Sequence, residues 1–436
     1  MPVLHKSFSF TFLAFLFAYV LINAACNSAD TKSKKKDADS LHLINLPELL
    51  PVSAAEGSRI KNACQGWYDS VLLLKGFNGG IVVAKDGNIV FEKYSGTGHL
   101  PGKDTITENS SMHIASVTKT FTAMAVLKLQ QDGRLNIDDE FSKYFTAFNY
   151  PGVTIRCLLN HRSGLPNYNY FMETLGWDKT LFVKNEDVLN YLITYKASLA
   201  DVSPPGMHFS YCNTNYALLA LLIEKITGLT YAAYLNQSFF IPLQMKNTYV
   251  FSLADTLKAI PSYNWRGTHE AFNFLDQVYG DKNIYTTPRD LLIWDRALSS
   301  NLIFTKETLS QAYTPYSNER PGIRNYGLGW RMNIFPDGNK IIYHNGWWHG
   351  SNATFIRLLK EKATIIVVGN KFTRAVYNAK VLTSIFGNYY LPGDEEENVV
   401  LKDSLKSISN LLNSDSVQTR NSKKLKKVLA NKKTGI

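Results

Sequence analysis

The chain has 436 residues, of which 45% are hydrophobic and 13% aromatic, a composition that excludes disordered and fibrous proteins and predicts a globular fold. Its net charge of +11 is concentrated at the ends, where residues 1–40 carry five Lys against three Asp and residues 401–436 carry nine Lys or Arg against two Asp. Because the residues between them are close to neutral, the charge does not indicate a nucleic-acid-binding surface, and no nucleic-acid partner is predicted.

The start of the chain resembles an export signal. Lys6 precedes an apolar run over residues 8–22, which is short for a transmembrane helix, and small residues follow it. Cys26 comes directly after Ala24 and Ala25, as at the cleavage site of a bacterial lipoprotein, so we predict that Cys26 carries a lipid anchor. Asn23 stands where such sites usually carry an aliphatic residue, which leaves ordinary cleavage and a soluble exported form as the alternative.

The predicted domain organisation follows from this start. We assign residues 1–25 to a signal peptide and residues 26–65, whose first part is polar and charged, to a flexible linker behind the lipid anchor. Residues 66–392 are assigned to one folded domain and residues 393–436 to a basic tail. These boundaries predict an exported bacterial lipoprotein of the cell envelope, periplasmic or on the outer surface, which contacts the membrane through its lipid.

The first predicted elements of the domain are two strands and a helix. Residues 80–94 contain two β-branched apolar runs joined at Asp86–Gly87, the strongest short signal for a β-hairpin. From Phe121 the apolar residues recur with helical spacing, and Gly133 supplies a stop.

The segment IASVTKTF, residues 114–121, places a serine and a lysine three residues apart at the start of this helix. Ser116 is either a helix N-cap, because a hydroxyl satisfies a free backbone N–H there, or a nucleophile. The same spacing recurs at Ser33 and Ser58, so the pattern alone does not decide. For the second interpretation, residues i and i+3 share a helix face, which puts Lys119 beside the Ser116 hydroxyl as a proton acceptor.

The middle of the chain is mostly helical. A buried helix is predicted over residues 214–227, ending at Gly228. Tyr211 and Asn213 come directly before it, where a phenol could exchange a proton with the serine. They are alternatively ordinary residues of a helix start.

The end of the domain returns to strands. Four short apolar runs begin at residues 326, 340, 353 and 363, and an amphipathic stretch follows over residues 374–386. Strands at both ends with helices between them predict an α+β fold, whose sheet is built from both ends of the domain around a helical insert. His344, Asn345 and Gly346 lie near the end of the second of these strands, where Gly346 lets backbone approach a substrate closely.

With these three segments in this order, the chain resembles the penicillin-recognising serine hydrolases: class C beta-lactamases, D-alanyl-D-alanine carboxypeptidases, and related esterases and D-amino-acid peptidases. The resemblance covers roughly residues 70–390 and includes LLNHRSGLP from residue 158, GDKNIYTTPRDLLIWDRAL from residue 280 and YGLGW from residue 326. It implies the beta-lactamase/transpeptidase-like fold, with a largely antiparallel sheet flanked by helices.

The resemblance also implies roles for the site residues. Ser116 is the acylated nucleophile, Lys119 and Tyr211 are the coupled base and acid, and Asn213 orients Lys119 and the substrate carbonyl. The backbone N–H groups of Ser116 and Trp347 form the oxyanion hole.

His344, Asn345, Gly346 and Trp347 are expected along the substrate. His344 stands where beta-lactamases usually have a lysine, and its charge would depend on pH, so efficient beta-lactamase activity is placed in doubt. Trp347 is open to a second interpretation as packing at the sheet edge.

No metal or nucleotide cofactor is predicted, because the histidines and cysteines lack metal-ligand spacing and no Gly-rich phosphate loop follows a strand. We predict an exported serine hydrolase acting on a small peptide, amide or ester through a Ser116 acyl-enzyme, as a carboxypeptidase, esterase or beta-lactamase. The alternative is a non-catalytic sensor protein that binds penicillin or an envelope component.

Overall fold

The computed structural model of the chain describes residues 43–102, 104–199, 201–319 and 321–389. The predicted signal peptide, Cys26, the first part of the predicted linker and the basic tail lie outside the described residues. The described residues include all the side chains for which the sequence predicts a part in catalysis or substrate binding.

The α-helices of the described residues are numbered α1 to α9 in chain order. They span Ala54–Trp67, Thr118–Gln131, Ile155–Leu159, Tyr168–Thr174, Asn185–Thr194, Asn213–Thr227, Tyr231–Leu235, Pro288–Ser299 and Lys306–Ala312. Two 3₁₀ segments also position the site and the sheet: Ala115–Val117 immediately before α2, and Arg374–Ile385 after the last strand.

The strands of the described residues are numbered β1 to β12 in the same way. They span Gly79–Lys85, Asn88–Ser95, Met112–His113, Tyr249–Val250, Ser262–Tyr263, His269–Glu270, Ile284–Thr286, Arg324–Tyr326, Arg331–Ile334, Lys340–Trp348, Ser351–Leu358 and Ala363–Gly369.

Seven strands form the main sheet in the order β2-β1-β12-β11-β10-β9-β8, with antiparallel pairing throughout. β1 from the front of the domain pairs with β12 from its end, Gly79 opposite Gly369 and Lys85 opposite Ala363. The predicted fold class is confirmed: strands from both ends of the domain build one antiparallel sheet, and helices α2 to α9 lie between β2 and β8 in sequence.

The local predictions agree with the elements closely. The turn between β1 and β2 has positive φ at both Asp86 and Gly87, 50° and 78°, the conformation of a type I′ hairpin. Helix α6 begins one residue earlier than predicted and ends before Gly228, which has φ 72°. The apolar run from residue 326 forms two strands instead of one, because the chain reverses between β8 and β9 through a turn with Gly329 at φ 83°.

The two faces of the sheet bury separate cores, because side chains alternate along each strand. On one face, Ile81 and Val367 pack with α1 and the 3₁₀ segment Arg374–Ile385. On the other, Val82 and Ile366 pack with the helical insert, in which α2 and α6 are both largely buried. The molecule therefore has three layers, with helices on both sides of the sheet.

Helix α1 belongs to the first of these cores. Ile60, Cys64 and Trp67 are buried against the sheet, and the Ser53 side chain caps the start of the helix. The fold therefore begins earlier than the predicted boundary at residue 66, because the buried positions of α1 are spaced about a helical turn apart and were not recognised in the sequence as an amphipathic pattern.

Across the part of the chain that the structure describes, no single helix is long and apolar enough to cross a membrane. The pair Asn213–Thr227 and Tyr231–Phe240 reaches that length and composition only when taken together, across a bend of 75°.

Candidate active site

Ser116 lies in the 3₁₀ turn that leads from β3 into α2. The preceding residue, Ala115, has φ 47°, a conformation that is rare for a residue with a side chain and is often found beside functional groups. The N-cap of α2 is Val117, which makes no side-chain capping bond. Ser116 therefore does not serve as the helix cap, and its half-buried hydroxyl faces Lys119 instead.

Lys119 is fully buried, and its Nζ is held by three oxygens. Nζ lies 3.1 Å from Ser116 Oγ, 2.8 Å from Asn213 Oδ1 and 2.9 Å from the Asp281 carbonyl oxygen. The amide and carbonyl oxygens only accept hydrogen bonds, so they fix two N–H groups of Lys119. The third contact is to a hydroxyl, which can accept a hydrogen bond from Nζ or donate one to it, and this is the path along which a proton would move.

Tyr211 is brought to the same place by the segment that enters α6. The centre of its ring lies 5.0 Å from Lys119 Nζ and 5.0 Å from the Arg331 guanidinium carbon. The structure thus gathers Ser116, Lys119, Tyr211 and Asn213 around one point, as the sequence analysis expected.

His161 holds Tyr211 in position by binding the residues directly before and after it. The carbonyl of His161 accepts the Ser210 N–H at 2.8 Å, and its Nδ1 accepts the Cys212 N–H at 3.1 Å. The rings of His161 and Tyr211 are in contact, with centres 4.3 Å apart and planes inclined at 41°. The sequence predicts no part for His161 in the site, because nothing near it in the chain indicates that it packs on Tyr211.

Strand β10 passes directly over the Ser116 turn. A Cβ atom on Gly346 would lie 2.1 Å from the Ile114 carbonyl oxygen and 3.2 Å from Ala115 Cβ, so only glycine fits there. Pairing of β10 with β9 ends at Tyr343, one residue before the part of β10 that faces the turn. Gly346 therefore sets the distance between this strand and the nucleophile.

We predict that Gly346→Ala lowers kcat/KM at least tenfold, because the added methyl group must push β10 away from the Ser116 turn. The measurement is steady-state hydrolysis of an activated ester. The control is Gly57→Ala in α1, where an added Cβ meets nothing within 4 Å, and this variant should keep full activity. Wild-type activity in Gly346→Ala would show that the strand and the turn need not stay in contact.

His344 faces the site from β10, with its ring centre 6.3 Å from that of Tyr211. It is fully buried, its Nδ1–H donates to the Asn345 carbonyl at 2.7 Å, and its Nε2 accepts from the Tyr326 hydroxyl at 3.2 Å. Burial, with the charges of Arg331 and Lys119 nearby, holds its pKa well below the ordinary value. The sequence predicted that the charge of His344 depends on pH. Near neutral pH this prediction is wrong, because the ring stays neutral and both its nitrogens are already hydrogen-bonded.

The side chains of Asn345 and Trp347 alternate with that of His344 and lie on the other face of the sheet. Asn345 Oδ1 accepts from the Thr354 hydroxyl at 2.8 Å, and the Trp347 ring, 63% exposed, lies 5.8 Å from the Phe372 ring. The prediction that Asn345 and Trp347 lie along the substrate is therefore wrong for their side chains. Their backbone does lie on the strand that crosses the Ser116 turn.

Three further residues near Lys119 are not predicted by the sequence, although two of them lie in the segment that begins at residue 280. The side chains of Asp281 and Lys282 are both buried, and each contacts the hydroxyl of Tyr168. Asn169 Oδ1 accepts from Asn213 Nδ2 at 3.2 Å. These long-range contacts fix the residues that hold Lys119, and no local pattern indicates them.

Three buried histidines, His113, His161 and His344, make stability depend on pH. Burial lowers the pKa of His113 to about 3 and holds the pKa values of the other two well below the ordinary value. In the unfolded chain each takes up a proton near pH 6.5, so the unfolded state binds more protons than the folded state below that pH. The free energy of unfolding is therefore expected to fall on acidification below about pH 6.5, by up to about 1.4 kcal/mol per pH unit for each histidine.

Urea unfolding at pH 7.5 and pH 5.5 measures this loss, in a range above that in which most carboxylates titrate. His113→Gln should reduce the slope by roughly a third, because it removes one of the three groups. Equal or greater stability at pH 5.5 in the wild type would contradict the prediction.

Within the described ranges, no group of three His, Cys, Asp or Glu side chains is placed to hold a metal ion. The Cys212 thiol, next to Tyr211, is buried and burial raises its pKa, so it is not a reactive thiolate. The chemistry that the arrangement supports is nucleophilic attack by Ser116 with proton transfer through Lys119 and Tyr211.

Comparison with known proteins gives one family. The family model described as Beta-lactamase matches residues 75–386. A penicillin-binding protein of Bacillus subtilis (strain 168) is 29% identical over 349 residues, which cover 74% of this chain and 76% of that protein.

Solved structures agree in fold. A class C beta-lactamase superposes with a TM-score of 0.65 at 19% identity, covering 79% of this chain and 100% of that chain. The D-amino acid amidase from Ochrobactrum anthropi SV3, complexed with L-phenylalanine amide, superposes with a TM-score of 0.61 at 21% identity, covering 80% of this chain and 99% of that chain. At these identities the structural likenesses show the fold.

Proposed function

Because this chain belongs to the beta-lactamase family of serine hydrolases, we propose that it hydrolyses an amide or ester through an acyl-enzyme on Ser116. The observation that carries the proposal is the 3.1 Å contact between Lys119 Nζ and Ser116 Oγ, with the other two Lys119 contacts taken by groups that only accept. A serine that served only to start a helix would need no such partner.

Acylation follows from this geometry. The Ser116 hydroxyl attacks the substrate carbonyl carbon, and its proton passes to the pair formed by Lys119 and Tyr211. The carbonyl oxygen takes up negative charge, which the backbone N–H groups of Ser116 and Trp347 stabilise. When the C–N or C–O bond breaks, the leaving group takes the proton from the same pair.

Deacylation reverses these roles. A water molecule gives a proton to the Lys119 and Tyr211 pair, attacks the ester carbonyl and releases the acid, and the proton returns to Ser116. His161 supports both steps by holding Tyr211 in position, and Asn213 supports them by fixing Lys119.

The charges at the site favour a peptidase, amidase or esterase over an efficient beta-lactamase. The neutral, buried His344 offers a substrate carboxylate no positive charge. Arg331 on β9 lies on the Tyr211 ring instead, with its guanidinium carbon 5.0 Å from the ring centre. We therefore place small peptides, amides and esters first among substrates.

We also propose that the protein is exported and held at the cell envelope by a lipid on Cys26. The support is in the sequence alone: Lys6, the apolar run over residues 8–22 and the small residues before Cys26.

Intact-protein mass spectrometry during incubation with p-nitrophenyl acetate, and separately with a penicillin, tests the proposed function. We expect ester turnover and a transient acyl group on the wild-type protein. A penicillin adduct that forms and clears would make beta-lactamase the leading activity. A lasting adduct without ester turnover would support a binding sensor instead. If the protein formed no adduct and turned over no ester, the proposed hydrolase activity would be wrong.

The same spectra test the anchor when the protein is purified from membranes. A mature chain that starts at Cys26 and carries the mass of lipid is expected. Cleavage at another residue, without lipid, would contradict the proposed lipid anchor on Cys26. It would not affect the proposed hydrolase activity.

A further inference from the structure

A cavity of about 430 Å³ lies beside Tyr211, between the segment around α4 and the segment that leads into Tyr211. We call it the lateral pocket. Its walls include the following six side chains: Leu165, Phe171, Leu175, Leu199, Val202 and Tyr211. Its volume is within the range of cavities that bind small molecules in proteins.

The lining of the lateral pocket is apolar or neutral. None of the described residues that line it carries a charged side chain, and the polar ones among them are hydroxyl, amide and thiol groups. Two large apolar side chains at the pocket are left in water, Tyr170 with 73% and Val202 with 59% of their surface exposed. A bound apolar group would cover them and gain from the removal of water.

The lateral pocket adjoins the catalytic groups at Tyr211, and helix α4 connects its other wall to Asn213. Tyr211 lines the pocket, and its ring centre lies 5.0 Å from Lys119 Nζ. Helix α4 supplies the opposite wall, and its Asn169 accepts a hydrogen bond from Asn213, which in turn binds Lys119. A molecule whose carbonyl sits at Ser116 therefore has this cavity next to the group that exchanges its proton.

We propose that the lateral pocket binds an uncharged apolar substituent, aromatic or aliphatic, on the acyl part of the substrate; this rests on the proposed function and specifies its substrate class. The described lining offers no charged partner to an acidic or basic substituent, so we expect the pocket to favour uncharged groups. The acyl part stays attached to Ser116 after the leaving group departs, so the pocket holds the acyl-enzyme for deacylation.

Esters with one leaving group and different acyl chains test this inference. Each buried methylene group is worth about fourfold in binding, so p-nitrophenyl hexanoate should exceed p-nitrophenyl acetate in kcat/KM at least tenfold with the wild-type protein. Val202→Lys places a charge at the pocket and should reduce that ratio at least fivefold. Tyr170→Ser removes an exposed aromatic side chain from the pocket wall and should also reduce this ratio. This variant replaces Val202→Lys in the test if the lysine variant fails to fold.

Leu257→Lys is the matched control, because Leu257 is 98% exposed and does not line the pocket. Its hexanoate-to-acetate ratio should equal that of the wild type. A wild-type hexanoate-to-acetate ratio below threefold, or a ratio unchanged in both pocket variants, would show that the lateral pocket does not bind the acyl substituent. The proposed hydrolase activity would still stand. Failure of the wild type to hydrolyse either ester would overturn the proposed function itself.

Discussion

Replacing Ser116 with alanine is expected to reduce hydrolysis at least about 1,000-fold, because no other group near Lys119 can form the acyl-enzyme. The fold should survive, since the hydroxyl is only half-buried and its contact with Lys119 Nζ is local to the turn. We expect the melting temperature to stay within about 3 °C of the wild type.

Steady-state kinetics and thermal unfolding of the purified variant check both parts. Ser58→Ala is the matched control, because Ser58 also stands three residues before a lysine but is exposed on α1, away from the site. It should keep full activity. Activity above a tenth of the wild-type value in Ser116→Ala would remove Ser116 as the nucleophile.

Replacing Lys119 with methionine is expected to remove both activity and stability. Catalysis should fall at least about 1,000-fold, since the Ser116 proton loses its nearest acceptor. The substitution also leaves Asn213 Oδ1 and the Asp281 carbonyl without the donor they share. Each buried acceptor without a partner costs roughly 1–3 kcal/mol, so the free energy of unfolding should fall by about 2–5 kcal/mol.

Lys128→Met on the same helix is the control for Lys119→Met. Lys128 pairs with Asp132 one turn further along the helix, where the pair is partly exposed, so its loss should change the free energy of unfolding by less than about 1 kcal/mol and leave activity unchanged. If Lys119→Met unfolded at the same urea concentration as the wild type, the two acceptors would have other partners, and if it remained active, the base would be another residue.

The features that the sequence predicted well depend on residues close together in the chain. The hairpin turn at Asp86–Gly87, the end of α6 at Gly228 and the contact between Ser116 and Lys119 all follow from positions within a few residues of one another. Tyr211 was located only because the family resemblance added to a weak local pattern.

What the sequence did not predict depends on long-range packing. His161 reaches Tyr211 over 50 residues, and the Asp281 carbonyl reaches Lys119 over 162. The neutral state of His344 follows from full burial and from its contact with Tyr326 on another strand. A single sequence gives the order of such residues but not which of them meet.

The place of β12 in the sheet has a consequence for how the chain is made. β12 lies inside the sheet between β1 and β11, yet among the described strands it is the last to be synthesised. At typical synthesis rates, β1 waits for this partner on the order of tens of seconds. The main sheet therefore cannot close around β12 until nearly the whole of the described domain has been synthesised.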